Sequence, residues 1–347
     1  MKKPWIFRPF EFWPNETHVI PFHIFLALGL ARHRLGLKSA LKANYGILHG
    51  GMCFTSKYDF QARIGHKHFP ATVWLRKEAT EKHKAFLLTQ FGKTYGYPII
   101  IKPDEGMTGR GMMKIRSPKD VSACLKLVKD VPYLAQAYLE GNFEFGVFWH
   151  RLNGKSWISG INQKHYPTVT GDGKSDLGDL ARKRDRYTAK WESFLPDLDL
   201  DRVPARDEVV YLSRIGSHTM GCMFTDDTNL KTPEMEKKLN NIFDQQKGFN
   251  HGRLDVKSFS IEDFQAGKFE VIEVNGIESQ ATHMFDPSYN YLNALKLLWY
   301  YAMTLSGITH EHRKQKIPKI SLRTILSESI RNIKEIQRQQ AKAEELV

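Results

Sequence analysis

The chain has 347 residues, 41% of them hydrophobic and 12% aromatic, enough apolar mass for two or three packed subdomains and too much for intrinsic disorder. Its formal charge of +13 suits polyanions or anionic small substrates, but no zinc-finger or aromatic RNA-binding motif accompanies the dispersed Lys and Arg, so nucleic acid is not an expected partner. Cys53, Cys124 and Cys222 lack the spacing of a metal cage or a disulfide framework, which sets the expectation of a reducing, cytoplasmic setting.

Residues 1–56 mix aromatics and prolines around one apolar run, Val19 to Ala31. That run carries His23 and falls short of the ~20 residues a bilayer requires, so it predicts a buried helix in an N-terminal cap and no membrane partner. Thr80 predicts the cap of a helix bearing Phe86, Leu87 and Phe91 and ending near Gly96, after which Ile99 to Ile101 read as a buried strand. Ser117-Pro118 opens a second helix with Val121, Cys124, Leu125 and Val128 on one face. Strands are predicted at Tyr133 to Leu139 and Phe145 to Trp149, and Leu152-Asn-Gly-Lys155 is a hairpin signal leading to Trp157 to Ile161. After a loop-rich stretch over 162–230 come a helix at Glu234 to Phe249, strands at Gly252 to Phe259 and Phe269 to Asn275, and a core helix at Tyr289 to Ser306. Leu322, Leu326, Ile330 and Ile333 then make a narrow apolar stripe on a polar helix. The organisation read from this is a cap over 1–56, a small subdomain over 57–150, a larger one over 151–308, and a basic linker with a C-terminal helix over 309–347.

Two places carry chemistry. Lys102 ends an apolar run and is followed by Asp104-Glu-Gly-Met-Thr-Gly-Arg-Gly111, where glycines let backbone amides turn toward an anion and the lysine adds a point charge. It is neither a Gly-Lys-Ser/Thr phosphate loop nor a dinucleotide fingerprint. In Gly252-Arg-Leu-Asp-Val256 the strand period puts Arg253 and Asp255 on one face, and in Phe269-Glu-Val-Ile-Glu-Val-Asn275 it puts Glu273 and Asn275 on one face. If the strands are neighbours, two carboxylates and an amide oxygen converge, a donor set for Mg²⁺; an ordinary half-exposed pair of strands would alternate in the same way.

Taken together, strand-Lys-Pro, a glycine loop, a hinge strand, Arg-x-Asp and a distal Glu-x-Asn resemble the ATP-grasp superfamily of carboxylate–amine ligases, with motifs nearest its D-alanine–D-alanine ligase and cyanophycin synthetase groups. Thr170-Gly-Asp-Gly-Lys-Ser175 and Ser213 to Asp227 are similar to segments of the cyanophycin synthetase type, and the match runs over roughly 57–290. The resemblance implies an α/β (α+β) ATP-grasp fold whose two subdomains clasp ATP. It implies Lys57, Lys102 and the glycines Gly106, Gly109 and Gly111 on the phosphates, Gln136, Tyr138 and Leu139 at the adenine, and Glu144 on the ribose. Gln136 stands where the family carries an acid. It implies one or two Mg²⁺ ions, or Mn²⁺, on Asp255, Glu273 and Asn275, with Arg253 neutralising the transferring phosphoryl group. Ser279 and His283 would orient substrate or shield the activated acyl group, and Arg214 or Arg184 would grip a substrate carboxylate. The expected partners are a small-molecule carboxylate and an amine, such as an amino acid or peptide, and a second copy of the chain, since several family members are dimers. Phosphorylation of a hydroxyl acceptor and a catalytically silent nucleotide-binding scaffold remain open beside the ligase.

Overall fold

A computed structural model of the chain describes residues 8–52, 55–105, 111–128, 131–141, 143–183, 198–214, 216–218, 221–244 and 246–317, with single helical positions at 323, 327, 330 and 334. Gly106 and Gly109 of the glycine loop, Arg184, and Leu322, Leu326 and Ile333 of the C-terminal stripe lie outside the described residues.

The N-terminal apolar run lies within helix α1 (Glu16–Arg32), which precedes 3-10 segments at Leu37–Asn44 and Leu48–Gly51. Pro21 brings no N–H to the bond that would reach Thr17, and the Tyr291 hydroxyl donates to the Thr17 carbonyl instead at 2.7 Å. Helix α2 (Lys57–Ile64) starts at Ser56, whose hydroxyl accepts from the Asp59 amide. There follow β1 (Thr72–Leu75), α3 (Glu81–Tyr95), β2 (Ile99–Pro103), β3 (Met113–Ile115), α4 (Val121–Leu127) and β4 (Tyr133–Ala137). Thr80 caps α3 as expected, accepting from the His83 amide, and Ser117 with Asp120 forms a capping box ahead of α4. These strands make a four-stranded antiparallel sheet in the order β1-β4-β2-β3, its core built on Leu88, Ile99, Ile101, Leu125 and Tyr133.

Beyond Ala137 the chain enters a second sheet. Strands β5 (Phe143–Leu152) and β6 (Lys155–His165) form the hairpin, with Asn153 and Gly154 both at positive φ, as the tight turn requires. Then come β7 (Thr168–Thr170), α5 (Leu177–Arg182), β8 (Val209–Tyr211), β9 (Met223–Asp226), α6 (Pro233–Phe243), β10 (His251–Ser258), α7 (Ile261–Gln265), β11 (Glu270–Asn275) and α8 (Tyr291–Glu311). Five antiparallel strands run in the order β11-β10-β5-β6-β9, while β7 and β8 pair separately. The architecture is therefore α+β with several sheets.

Alternation decides the faces of the larger sheet. Phe145, Val147, Trp149, Leu254 and Val256 pack with Met235, Phe243 and Phe264 in one core. The opposite face carries Glu144, Phe148, His150, Arg253 and Asp255; one end of it meets the smaller sheet, and the other packs on Tyr301 of α8 and on His283. α1 lies along α8, and the N-terminal segment packs on the body through Leu26, Leu30, Ala302 and Leu305.

Candidate active site

Two bulges aim the side chains of the polar face. Asp255 pairs with Glu273 but Val256 pairs with Val271, which takes Ile272 out of the ladder, and its carbonyl accepts from Lys102 Nζ at 3.0 Å. Lys102 Nζ also donates to Gln136 Oε1 at 3.0 Å, so Gln136 is held by the lysine and by Thr72, to which its Nε2 donates. Lys102 thus joins β2 of the smaller sheet to β11 of the larger one. Burial lowers it to about 8, against the pull of Glu273, Asp255 and Glu144.

Lys57, at the start of α2, stands 3.5 Å from Glu273 Oε1 and donates to the Asp104 carbonyl at 3.4 Å. Asp104 accepts from Ser56 Oγ and the Tyr58 amide, which ties the residue after Lys102-Pro103 to the first turn of α2. Burial raises the Asp104 carboxyl above the usual range despite these bonds.

Arg253 and Asp255 lie on one face as the spacing predicts, and Arg253 Nε donates to Asp255 Oδ1 at 2.9 Å. Asn275 pairs with Arg253 and Glu273 with Asp255, so the four expected residues are cross-strand neighbours. Sequence reasoning misses Lys164 and Tyr166. Lys164 Nζ lies 2.8 Å from Glu144 Oε1 and 3.2 Å from Asp255 Oδ2, and the Tyr166 hydroxyl donates to Glu144 Oε2 at 2.5 Å. The same alternation that points to Asp255 also points to Lys164, because Lys164 pairs with Glu144 across the hairpin. Burial disfavours the Asp255 charge, but Arg253 and Lys164 outweigh it and hold the carboxyl below its ordinary value; burial likewise opposes the Lys164 charge, and the two carboxylates hold it above.

Among the described residues no group of three or more His, Cys, Asp or Glu side chains forms a ready-made metal cage. The oxygens of Asp255, Glu273 and Asn275 nonetheless fit a hard divalent cation in type, and cross-strand register brings them to one place. Their charge is met here by Arg253 and Lys164 on Asp255 and by Lys57 on Glu273.

Of the other expected residues, Gly111 has φ +71°, and a Cβ there would stand 2.9 Å from Pro103, so glycine is required where the loop returns to the sheet. The Tyr138 ring lies under Lys114 at 4.2 Å and Lys257 at 5.6 Å, and Leu139 is half-buried beside it. Arg214 is exposed and stacks on Tyr211 at 4.0 Å. Ser279 is buried, with its hydroxyl donating to the Gly276 carbonyl at 2.6 Å.

His283 is 1% exposed and packs between Phe148 and Tyr301. It belongs to a buried polar cluster that no sequence motif signals. His150 shares a 3.0 Å hydrogen bond with His251 and a 2.6 Å bond with Ser159, whose hydroxyl is 2.9 Å from that of Tyr301. The second bulge, between Phe148 and Trp149, is what turns Ser159 onto this face. Burial lowers His251 and His283 to about 4 and takes His150 well below its ordinary value.

No protein-family model and no curated protein matches the sequence. Solved structures do. D-alanine–D-alanine ligase from Bacillus anthracis is 14% identical with a TM-score of 0.40, over 72% of this chain and 67% of that one. D-alanyl-alanine synthetase A from Vibrio cholerae is 13% identical with a TM-score of 0.41, over 74% and 65%. Carboxyaminoimidazole ribonucleotide synthase from Aspergillus clavatus, complexed with ATP, is 13% identical with a TM-score of 0.38, over 63% and 44%. This chain therefore spans less than half of that last protein.

Proposed function

We propose that the chain is an ATP-dependent carboxylate–amine ligase working through an acyl-phosphate, with 57–150 and 151–308 as the two nucleotide-clasping subdomains. The observation that carries this reading is the meeting of Lys102 from the smaller sheet and Lys57 from the start of α2 with Asp255, Glu273 and Asn275 of the larger sheet, through the Lys102–Ile272 and Lys57–Glu273 contacts. Cations that can hold phosphate oxygens and carboxylates that can hold a hard metal stand within one hydrogen-bonded group.

Asp255, Glu273 and Asn275 would hold Mg²⁺, or Mn²⁺, which supplies charge neutralisation on the nucleotide phosphates when bound. Lys57 and Lys102 would bind phosphate oxygens, and the backbone amides of Gly106, Gly109 and Gly111 are the further phosphate donors in this reading. Gln136, Tyr138 and Leu139 border the base and Glu144 accepts from the ribose, its carboxylate oriented by Lys164 and Tyr166. A substrate carboxylate oxygen bonds to the γ-phosphorus while the bond to the ADP oxygen breaks, and Arg253 and Lys102 offset the charge that develops. The amine nitrogen then bonds to the acyl carbon, phosphate departs with the C–O electron pair, and the amine loses one proton to solvent. Ser279 and His283, both buried, would act as orienting groups, and Arg214 or Arg184 would bind the free carboxylate of the substrate.

Transfer of heavy oxygen tests the reading. With an oxygen-labelled carboxylate substrate, a ligase moves one label into inorganic phosphate, whereas phosphorylation of a hydroxyl releases none. Nucleotide binding with no turnover on any substrate pair would mark a silent scaffold.

A further inference from the structure

Helix α1 carries no charged side chain between Glu16 and Arg32, and its outward face presents Ile20, Ile24 and Leu28, each more than half exposed. Helices with an apolar surface all round are normally buried. Here one side of α1 is buried on α8 and, among the described residues, the other is left exposed. The apolar surface continues onto α8, because Phe25 packs edge-on against Trp299 at 5.2 Å and Trp299 is itself 47% exposed, with Tyr300 beside it in the chain.

Charge lies at one end of this face. α1 and α8 run side by side in the same direction: Tyr291 reaches Thr17 at their starts, and His33 stacks on His310 at 4.3 Å at their ends. Arg32 and Arg313 both act on His33 there, and Lys42 Nζ donates to the Arg313 carbonyl at 2.6 Å. Arg34, Lys38, Lys314 and Lys316 are exposed close by in the chain. The acids nearest in sequence are Glu16, at the far end of α1, and Glu311, which is turned to the Asn153 amide.

We infer that the α1–α8 face docks on an anionic lipid surface, with Ile20, Ile24, Leu28 and Trp299 entering the interfacial layer and the Arg32–Lys42–Arg313 cluster meeting the headgroups. Juxtaposed apolar and basic surfaces with a tryptophan at the rim suit an interfacial helix, which lies on a bilayer and does not cross it. Among the described residues no helix is long and apolar enough to cross. A second copy of this chain is the poorer match, since each copy brings +13 to the contact, whereas that charge favours an anionic surface.

The test is co-sedimentation of the full chain with vesicles of phosphatidylcholine alone and of phosphatidylcholine with phosphatidylglycerol, at low and high salt, beside sedimentation velocity without lipid. Binding is expected to the anionic vesicles only, to weaken with salt, and to fall at least about tenfold in Ile24→Asp/Leu28→Asp and in Trp299→Ala. ADP binding and thermal melting of each variant serve as the check on folding, and the exposed single change Ile24→Asp stands in if the double variant melts early. Absence of binding at low salt overturns the inference. Binding that none of these variants weakens overturns it too, since bulk basic charge would then be responsible. A lipid-free dimer that Ile24→Asp dissociates overturns it in favour of a second copy.

Discussion

Lys102 Nζ and the Ile272 carbonyl oxygen stand 3.0 Å apart across the boundary between the two sheets, a contact that exists because a bulge takes Ile272 out of its ladder. The lysine that should grip phosphate is therefore also a tie between the halves of the site. Lys102→Met is expected to lower ADP affinity at least about tenfold, and to cost about 1–3 kcal/mol of stability by leaving the Ile272 carbonyl and Gln136 Oε1 short of a donor. Calorimetric titration and denaturant unfolding read the two effects separately.

Burial lowers Lys102 to about 8, so its charge is present below that pH and lost above it. Affinity for ADP should then weaken as pH rises through about 8, some two units earlier than an ordinary lysine would allow. Lys102→Arg, whose guanidinium stays charged, should flatten this dependence. A wild-type profile that is flat to about pH 9.5 would remove Lys102 from the phosphate site.

Asp255 is the counter-charge for both Arg253 and Lys164. Asp255→Asn leaves two buried cations short of a partner and should destabilise the fold by about 3–5 kcal/mol. Adding Lys164→Met should restore part of that loss, and a double-mutant cycle measures how much. Strict additivity would show that the pair is not coupled.

Much of this site is legible in strand periodicity: Arg253 with Asp255, and Glu273 with Asn275, share a face because the period is two and Leu254 and Val256 need the core. Lys164 is equally reachable in principle but sits in a stretch, 162–230, without regular apolar alternation to anchor it. The two bulges are not legible, since one extra residue in a strand leaves no compositional mark, and with them go the Ile272 carbonyl and the aim of Ser159. The predicted helix over Glu234 to Phe249 ends at Phe243 because the chain must turn to deliver Phe249 to the core beside Trp149. The packing of residues 1–56 is not legible in sequence because their partner, α8, lies some 270 residues away, as the Thr17–Tyr291 contact shows.

The buried histidines should make the fold acid-sensitive. His251 and His283 titrate near 4 in the folded chain and near their ordinary value when unfolded, so the unfolded state binds more protons between these limits. Stability from this source is complete above about pH 7 and is lost as pH falls toward 4, by up to about 3 kcal/mol for each residue. His251→Gln should lessen the slope of stability against pH between about 7 and 5, whatever it does to stability at neutral pH. An unchanged slope would assign the acid sensitivity to other groups.

The ligase reading meets its most direct test in ADP release by purified protein with Mg²⁺-ATP, across pairs of carboxylate donors and amines, beside Asp255→Ala and Glu273→Ala. The expected result is turnover that needs both substrates and vanishes in both variants, each shown to be folded by its melting transition. ADP release that needs no amine, or that survives loss of both carboxylates, would contradict it.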